Sequence, residues 1–233
     1  MEPKSEYWAA KAHVMRPASE VPEAVDWRTK GWVTAVKDQK HCGACYAFSS
    51  VGALEAQHKN VTGNLVVLSE QNAVDWTRGC GGGQHRYVYR YIIENNGIDT
   101  QEAYPYTEEK EKCSFKKAGL GATMSSYVEI KEGDEAALTN AVGTVGPVAV
   151  AINAPASFHE YAGGVYYEEK CESDRRKLNH EVVVVGYNKT EDGTEYYIVK
   201  NRQNIKLMSA IDSADTNGPK AGRKGQKGRE DYD

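Results

Sequence analysis

Apolar residues recur at steps of three and four through the stretch from Cys45 to Asn60. Ala44, Ala47, Phe48, Val51 and Leu54 therefore share one face of a predicted helix. Gly43 stands just before it, which puts Cys45 in the first turn. Ser69 is placed to cap a second, shorter helix running through Val74. Gly79-Cys80-Gly81-Gly82-Gly83 predicts a loop, because no regular element tolerates that much glycine. Residues 85–96 predict a third helix, stopped by Asn95-Asn96-Gly97. Residues 21–41, with Pro22 and Gly31, read as an extended entry segment.

The second half changes character. Residues 134–142 look helical, and three apolar, β-branched runs follow: Val148–Ile152, Val182–Val185 and Tyr196–Val199. A helix-rich half followed by a strand-rich half predicts an α+β fold rather than alternating α/β, with a cleft between the halves as the natural place for a site. Residues 212–233 hold almost no apolar content and are expected to form a disordered tail.

Composition narrows this picture modestly. The 233 residues are 40% hydrophobic and 27% charged, with a formal net charge of −4. That is an ordinary soluble balance, without the basic excess expected of a nucleic-acid binder. No apolar run approaches the roughly 20 residues of a membrane span. Residues 1–20 lack the apolar core of a secretory signal.

Five cysteines stand at 42, 45, 80, 113 and 171. An odd number leaves at least one thiol over if the others pair. Cys42-Gly43-Ala44-Cys45-Tyr46 by itself allows a thioredoxin-like redox pair, half of a zinc site with Cys80 and His85, a pair of buried structural thiols, or a nucleophile beside a structural cysteine. The redox reading wants a strand just before the motif, whereas Lys37-Asp38-Gln39-Lys40-His41 is polar. The zinc reading lacks a second tight ligand pair. The nucleophile reading gains from the helix start, whose positive dipole end favours the thiolate. It then requires a histidine with a partner for its other ring nitrogen. Of six histidines, His180 opens the run Glu181-Val182-Val183-Val184-Val185-Gly186-Tyr187, and Asn201 follows Tyr196–Lys200. The plain alternative for each is an idle surface residue.

Cys42 to Tyr46, His180 at 135 residues and Asn201 at 156 residues beyond Cys45 together resemble the papain-like cysteine peptidases, the cathepsin L-like subgroup in particular. Pro22-Glu23-Ala24-Val25-Asp26-Trp27-Arg28, Leu68-Ser69-Glu70-Gln71-Asn72, Tyr104-Pro105-Tyr106, Gly146-Pro147-Val148 and Val185-Gly186-Tyr187 extend the resemblance over residues 21–201. It implies a two-lobed fold over 21–211, with a helix-rich left lobe at about 30–125 and a β-rich, barrel-like right lobe at about 126–211. Residues 1–20 would be a propeptide remnant or a disordered leader. Cys45 would be the nucleophile, His180 the acid–base and Asn201 its orienting partner. Gln39 would donate to the oxyanion, a role opposed to that of a solvated loop residue. Gly82 and Gly83 would pair with substrate backbone, and His85, Ala151, Leu178 and Asn179 would surround the pocket for the residue two before the scissile bond. Cys42 would pair with Cys80, while Cys113 and Cys171 would lack partners. Protein or peptide substrates, cystatin-like inhibitors, a monomeric state, a lysosomal or extracellular location and no cofactor or metal are implied as well.

The chain also departs from the family. Arg202-Gln203-Asn204 replaces the Ser-Trp-Gly that follows the orienting asparagine, and Ile205-Lys206-Leu207-Met208 reads as what remains of the next strand. Glu181 stands where relatives carry a small residue. Trp76 stands where a cysteine would meet Cys113. Without the tryptophan, the His180–Asn201 bond is expected to be open to water and catalysis weakened. An impaired homologue that binds peptides or inhibitors is the competing reading.

Overall fold

A computed structural model describes residues 10–168, 174–201 and 205–208. Its helices are α1 (Cys45–Thr62), α2 (Glu70–Trp76), α3 (His85–Glu94), α4 (Glu135–Thr144) and α5 (Ala156–His159). Its strands are β1 (Lys11–Ala12), β2 (Val25–Asp26), β3 (Ile98–Asp99), β4 (Leu120–Ala122), β5 (Val128–Glu129), β6 (Val148–Ile152), β7 (Val165–Tyr166), β8 (His180–Lys189), β9 (Glu195–Lys200) and β10 (Ile205–Met208). Helices gather in the first half and the main sheet in the second, the mixed α+β arrangement that the pattern predicts. Residues 10–20, within the expected leader, lie against the body: β1 pairs with β5, and Asn140 bonds both His13 and the Arg16 backbone.

Local chemistry explains the ends of these elements. Ser69 caps α2 by accepting from the Asn72 amide, and Asp134 caps α4 by accepting from Ala137. Gly63 closes α1 in the left-handed region. No such cap opens α1: its preceding residue, Ala44, offers no side-chain acceptor. The helix start is thus free of an internal anion, and Cys45 stands on it.

α1 is buried on most of its circumference, because apolar side chains meet it from both halves. One cluster joins its Ala47, Val51 and Leu54 to Leu68, Val74, Tyr91 and Ile98. On the sheet side, Val183, Val185 and Ile198 form a small cluster, and a Cβ on Gly52 of α1 would stand 3.1 Å from Val183. A further cluster of the sheet half holds Trp27, Leu138, Val142, Phe158, Val182, Val184 and Val199. The long strand β8 organises that half. Its first part pairs with β6 and its later part with β2, while β9 takes its other edge, followed by β10 and then β7. All these pairings are antiparallel except β10 with β7. Closure into the expected barrel does not occur among the described residues, so that part of the reading is corrected to an open six-stranded sheet. Closing would require the edge strands to meet at a tilted, staggered register, and among the described residues β7 pairs with neither β2 nor β6.

One disulfide joins Cys42 to Cys80 across 38 residues, with Cα atoms 4.6 Å apart. It ties the segment before α1 to the glycine-rich loop. Replacing both cysteines by serine is expected to lower unfolding free energy by about 2–4 kcal/mol, read from urea denaturation of the oxidised parent and the variant. Equal midpoints would show that the bridge constrains nothing that the core does not already hold. Cys113 is half-buried with its Sγ 3.9 Å from the Tyr91 hydroxyl. Cys171 and the tail 212–233 lie outside the described residues.

Candidate active site

Three elements converge on the cleft side of α1. Cys45 is its first residue and is half-buried. His180 is the first residue of β8, and Asn201 follows the last residue of β9. β8 and β9 pair antiparallel, which brings the start of one beside the end of the other. The His180 Nε2 lies 2.8 Å from Asn201 Oδ1. An amide oxygen can only accept, so in that contact the His180 Nε2 is the donor.

A second bond aligns α1 with β8. Ser49, one helical turn beyond Cys45 on the same face, donates its hydroxyl to Glu181 Oε2 at 3.2 Å. Glu181 directly follows His180. The thiol-bearing end of α1 is therefore held beside the imidazole-bearing end of β8. His85 Nε2 lies 2.9 Å from the same Glu181 oxygen and bridges to α3. Sequence reasoning singled out Glu181 but passed over Ser49, although the spacing of four from Cys45 was there to be read.

Gln39 is buried, and its Nε2 donates to the Cys42 carbonyl at 2.8 Å, fixing the amide just ahead of Cys45. It is not a solvated loop residue. The Gly82–Gly83 strip follows the disulfide-bonded Cys80 by two residues. Gly43 donates its N–H to the Cys80 carbonyl at 3.2 Å, and a Cβ on Gly43 would stand 2.5 Å from that oxygen. A Cβ on Gly83 would meet the Tyr46 ring at 2.7 Å. Glycine is thus required at both places by close approach. Tyr46, wholly buried, ties the loop down by donating to the Gly79 carbonyl at 2.8 Å.

Of the residues expected around the substrate pocket, Ala151 faces Glu181 across the β6–β8 ladder, and His85 meets the same Glu181. Leu178 is half-buried on the approach to β8. Asn179 holds β6's exit instead: its Oδ1 accepts from the Ala154 amide at 2.8 Å. A cavity of about 20 Å³ lies behind the cleft, lined by Gln39, Ser49, Glu55, Glu181, Lys200 and Asn201 among others.

A charged network that sequence reasoning missed stabilises this floor. Lys37 Nζ bonds Glu70 at 2.6 Å and Glu55 at 3.0 Å. Glu55 also accepts from Thr34, and Lys200 donates to Thr34 at 2.8 Å. Burial alone would push the Lys37 pKa down, but the adjacent carboxylates outweigh it and hold it above the usual lysine value. Burial pushes the Glu70 carboxyl up. No periodicity signals such a network; lysines and glutamates ordinarily mark solvated faces.

The end of the sheet differs from expectation in one respect. Asn201 is only 8% exposed, so its side chain is sheltered without the family's tryptophan. Residues 202–204, expected to leave the bond open, lie outside the described residues. Beyond them, Lys206 of β10 is 2% exposed. It donates to the Phe158 carbonyl and lies over the Phe158 ring, whose edge faces His180. It has no carboxylate partner among the described residues, and burial holds its ammonium below the ordinary lysine pKa. Replacing Lys206 by methionine is expected to raise unfolding free energy by about 1 kcal/mol at pH 7, because a cation buried against an apolar ring keeps a desolvation cost. A base with a depressed folded pKa disfavours its charged form. The parent should therefore gain stability as pH rises toward the unfolded value of about 10.4, and the variant should lack that gain. Parallel stability–pH curves would refute this account.

The fold points to a class, and sequence comparison agrees with it. The family profile described as papain family cysteine protease matches residues 21–205, and the chain belongs to that family. It is 51% identical over 194 residues to the Cathepsin L-like peptidase of Aedes aegypti, covering 80% of this chain and 57% of that protein. It is 52% identical over 187 residues to Cathepsin L of Sarcophaga peregrina, covering 78% and 55%. The chain thus spans a little over half the length of these curated relatives. Among solved structures, digestive procathepsin L 3 of the Tenebrio molitor larval midgut superposes with a TM-score of 0.81 at 34% identity, over 90% of this chain and 73% of that one. Bromelain protease of Ananas comosus, solved in complex with the E64 inhibitor, gives 0.74 at 34% identity, over 84% and 92%.

Proposed function

We propose that the chain hydrolyses peptide bonds of protein or peptide substrates through a thioacyl intermediate on Cys45. The observation that carries this reading is the 2.8 Å His180–Asn201 contact on a strand that the Ser49–Glu181 bond ties to the uncapped helix start bearing Cys45. The positive end of α1 favours the thiolate, and an imidazolium at His180 favours it further. The Cys45 sulfur adds to the substrate carbonyl carbon, whose π electrons move onto oxygen. The Cys45 amide and the second N–H of Gln39 Nε2 receive that oxyanion. His180 gives its proton to the leaving amine as the carbon–nitrogen bond breaks. It then takes a proton from water, which hydrolyses the thioester. Gly82 and Gly83 present backbone for the substrate strand. The Cys42–Cys80 disulfide supports an oxidising compartment, lysosomal or extracellular. A monomer, with cystatin-like proteins as inhibitors, completes the reading. Among the described residues no helix is long and apolar enough to cross a membrane.

The test is alkylation by a peptidyl epoxide, followed by peptide mapping and a dipeptide amide hydrolysis assay. Cys45 should be labelled far faster than Cys113, and His180→Ala should abolish the difference. Equal labelling of the two thiols would overturn the reading. Fast labelling without turnover would favour the impaired, peptide-binding homologue.

A further inference from the structure

Glu181 is a carboxylate with more capacity than its neighbours use. Its side chain is 10% exposed, so nine-tenths of it is out of solvent. Both contacts it makes, from Ser49 Oγ and His85 Nε2, go to Oε2. No described residue bonds Oε1. The two lysines that line the cavity behind it are engaged elsewhere: Lys37 by Glu55 and Glu70, Lys200 by Thr34. Its position is set by three independent relations. Ser49 places it one helical turn from Cys45, about 5–6 Å along that face. Its ladder partner Ala151 shares its side of the sheet. His85 opens α3 two residues after Gly83.

We propose that Glu181, steadied by Ser49, makes the surface beside Ala151 and His85 a subsite for a basic side chain, arginine or lysine, two residues before the scissile bond. This rests on the peptidase reading above for the direction in which the substrate lies. An apolar side chain seated there would strip water from a carboxylate oxygen and return nothing to it. A guanidinium or ammonium donates to Oε1 in a charge-assisted bond. Ser49 donates to Oε2 and His85 lies against the same oxygen, so the ligand does not have to displace them.

The experiment reads binding without catalysis. Acetyl-Arg-Ala-Ala and acetyl-Leu-Ala-Ala amides are titrated by NMR into the Cys45→Ala chain at low salt. The arginine peptide should bind about tenfold tighter, the effect of one charge-assisted hydrogen bond in a largely buried setting. That advantage should shrink as salt is raised, and it should vanish when Glu181→Gln is added. Glutamine keeps the volume and an acceptor for Ser49 while removing the charge. Leucine binding as tight or tighter, an arginine advantage that survives Glu181→Gln, or no binding of either peptide overturns the proposal. The ratio and salt dependence of the Cys45→Ala chain decide the matter even if the Glu181→Gln form does not fold. An inert Cys45 in the epoxide assay sinks the peptidase reading but leaves an arginine preference standing. A reactive Cys45 with leucine preferred sinks the subsite alone.

Discussion

Replacing Gln39 with alanine is expected to lower kcat by about 10²–10³ with little change in KM, the usual cost of one oxyanion donor. The geometry behind this is specific. Gln39 is buried, and one N–H of its Nε2 is committed to the Cys42 carbonyl at 2.8 Å. That bond holds the amide in place, and the proposed oxyanion role uses its other N–H. Alkylation of Cys45 by iodoacetamide builds no oxyanion and should proceed near the parent rate. An unchanged kcat in a folded Gln39→Ala variant rejects the role. A fall in alkylation rate equal to the fall in kcat would mean that the substitution disturbs Cys45 itself, through the Cys42 segment.

Replacing Lys37 with methionine is expected to cost about 3–5 kcal/mol in unfolding free energy, the usual result of removing one partner from a buried ion pair. Lys37 is the cation shared by Glu55 and Glu70, both nearly without solvent access. Methionine fills the volume but leaves the two carboxylates facing each other. Glu70 is already pushed above the ordinary carboxyl pKa by burial, and losing the neighbouring ammonium pushes it further. A carboxyl whose folded pKa is raised favours the fold in its protonated form. That stability is present at low pH and lost as pH rises through the folded value. The deficit of the variant relative to the parent should therefore narrow on acidification from about pH 7 to pH 5. Urea midpoints of the two chains across that range provide the check. A deficit independent of pH would assign the cost to packing rather than to the orphaned carboxylates.

The parts of the site legible from sequence are those set by local rules. Gly43 before a run of period 3.6 puts Cys45 on the first turn of α1, and the structure starts the helix there. A β-branched run after His180 makes it the first residue of β8, and the run before Asn201 ends at Lys200. Ser69 as a cap and Asn95-Asn96-Gly97 as a stop are chemistry within four residues. The positions of Cys42 and Cys80 came from family resemblance rather than from any local rule. The short strands β2 and β7 carry no readable period, because two residues cannot show one.

What sequence by itself determined is which side chains begin and end the elements: a cysteine at a helix start, a histidine opening one strand, an asparagine closing the next. What only the tertiary structure decided is what those ends face. Glu55, Glu70, Lys37 and Lys200 read along the chain as ordinary charged residues with a solvated surface as their default, and Glu181 stood out only through the family resemblance. They became a buried network and a largely buried carboxylate because α1 packs against its own lobe on one side and against β8 on the other. Periodicity records which way a residue points within its own element. Whether the neighbour there is water, a lysine or a second carboxylate depends on elements up to 166 residues away in the chain, as the Lys200–Thr34 bond illustrates.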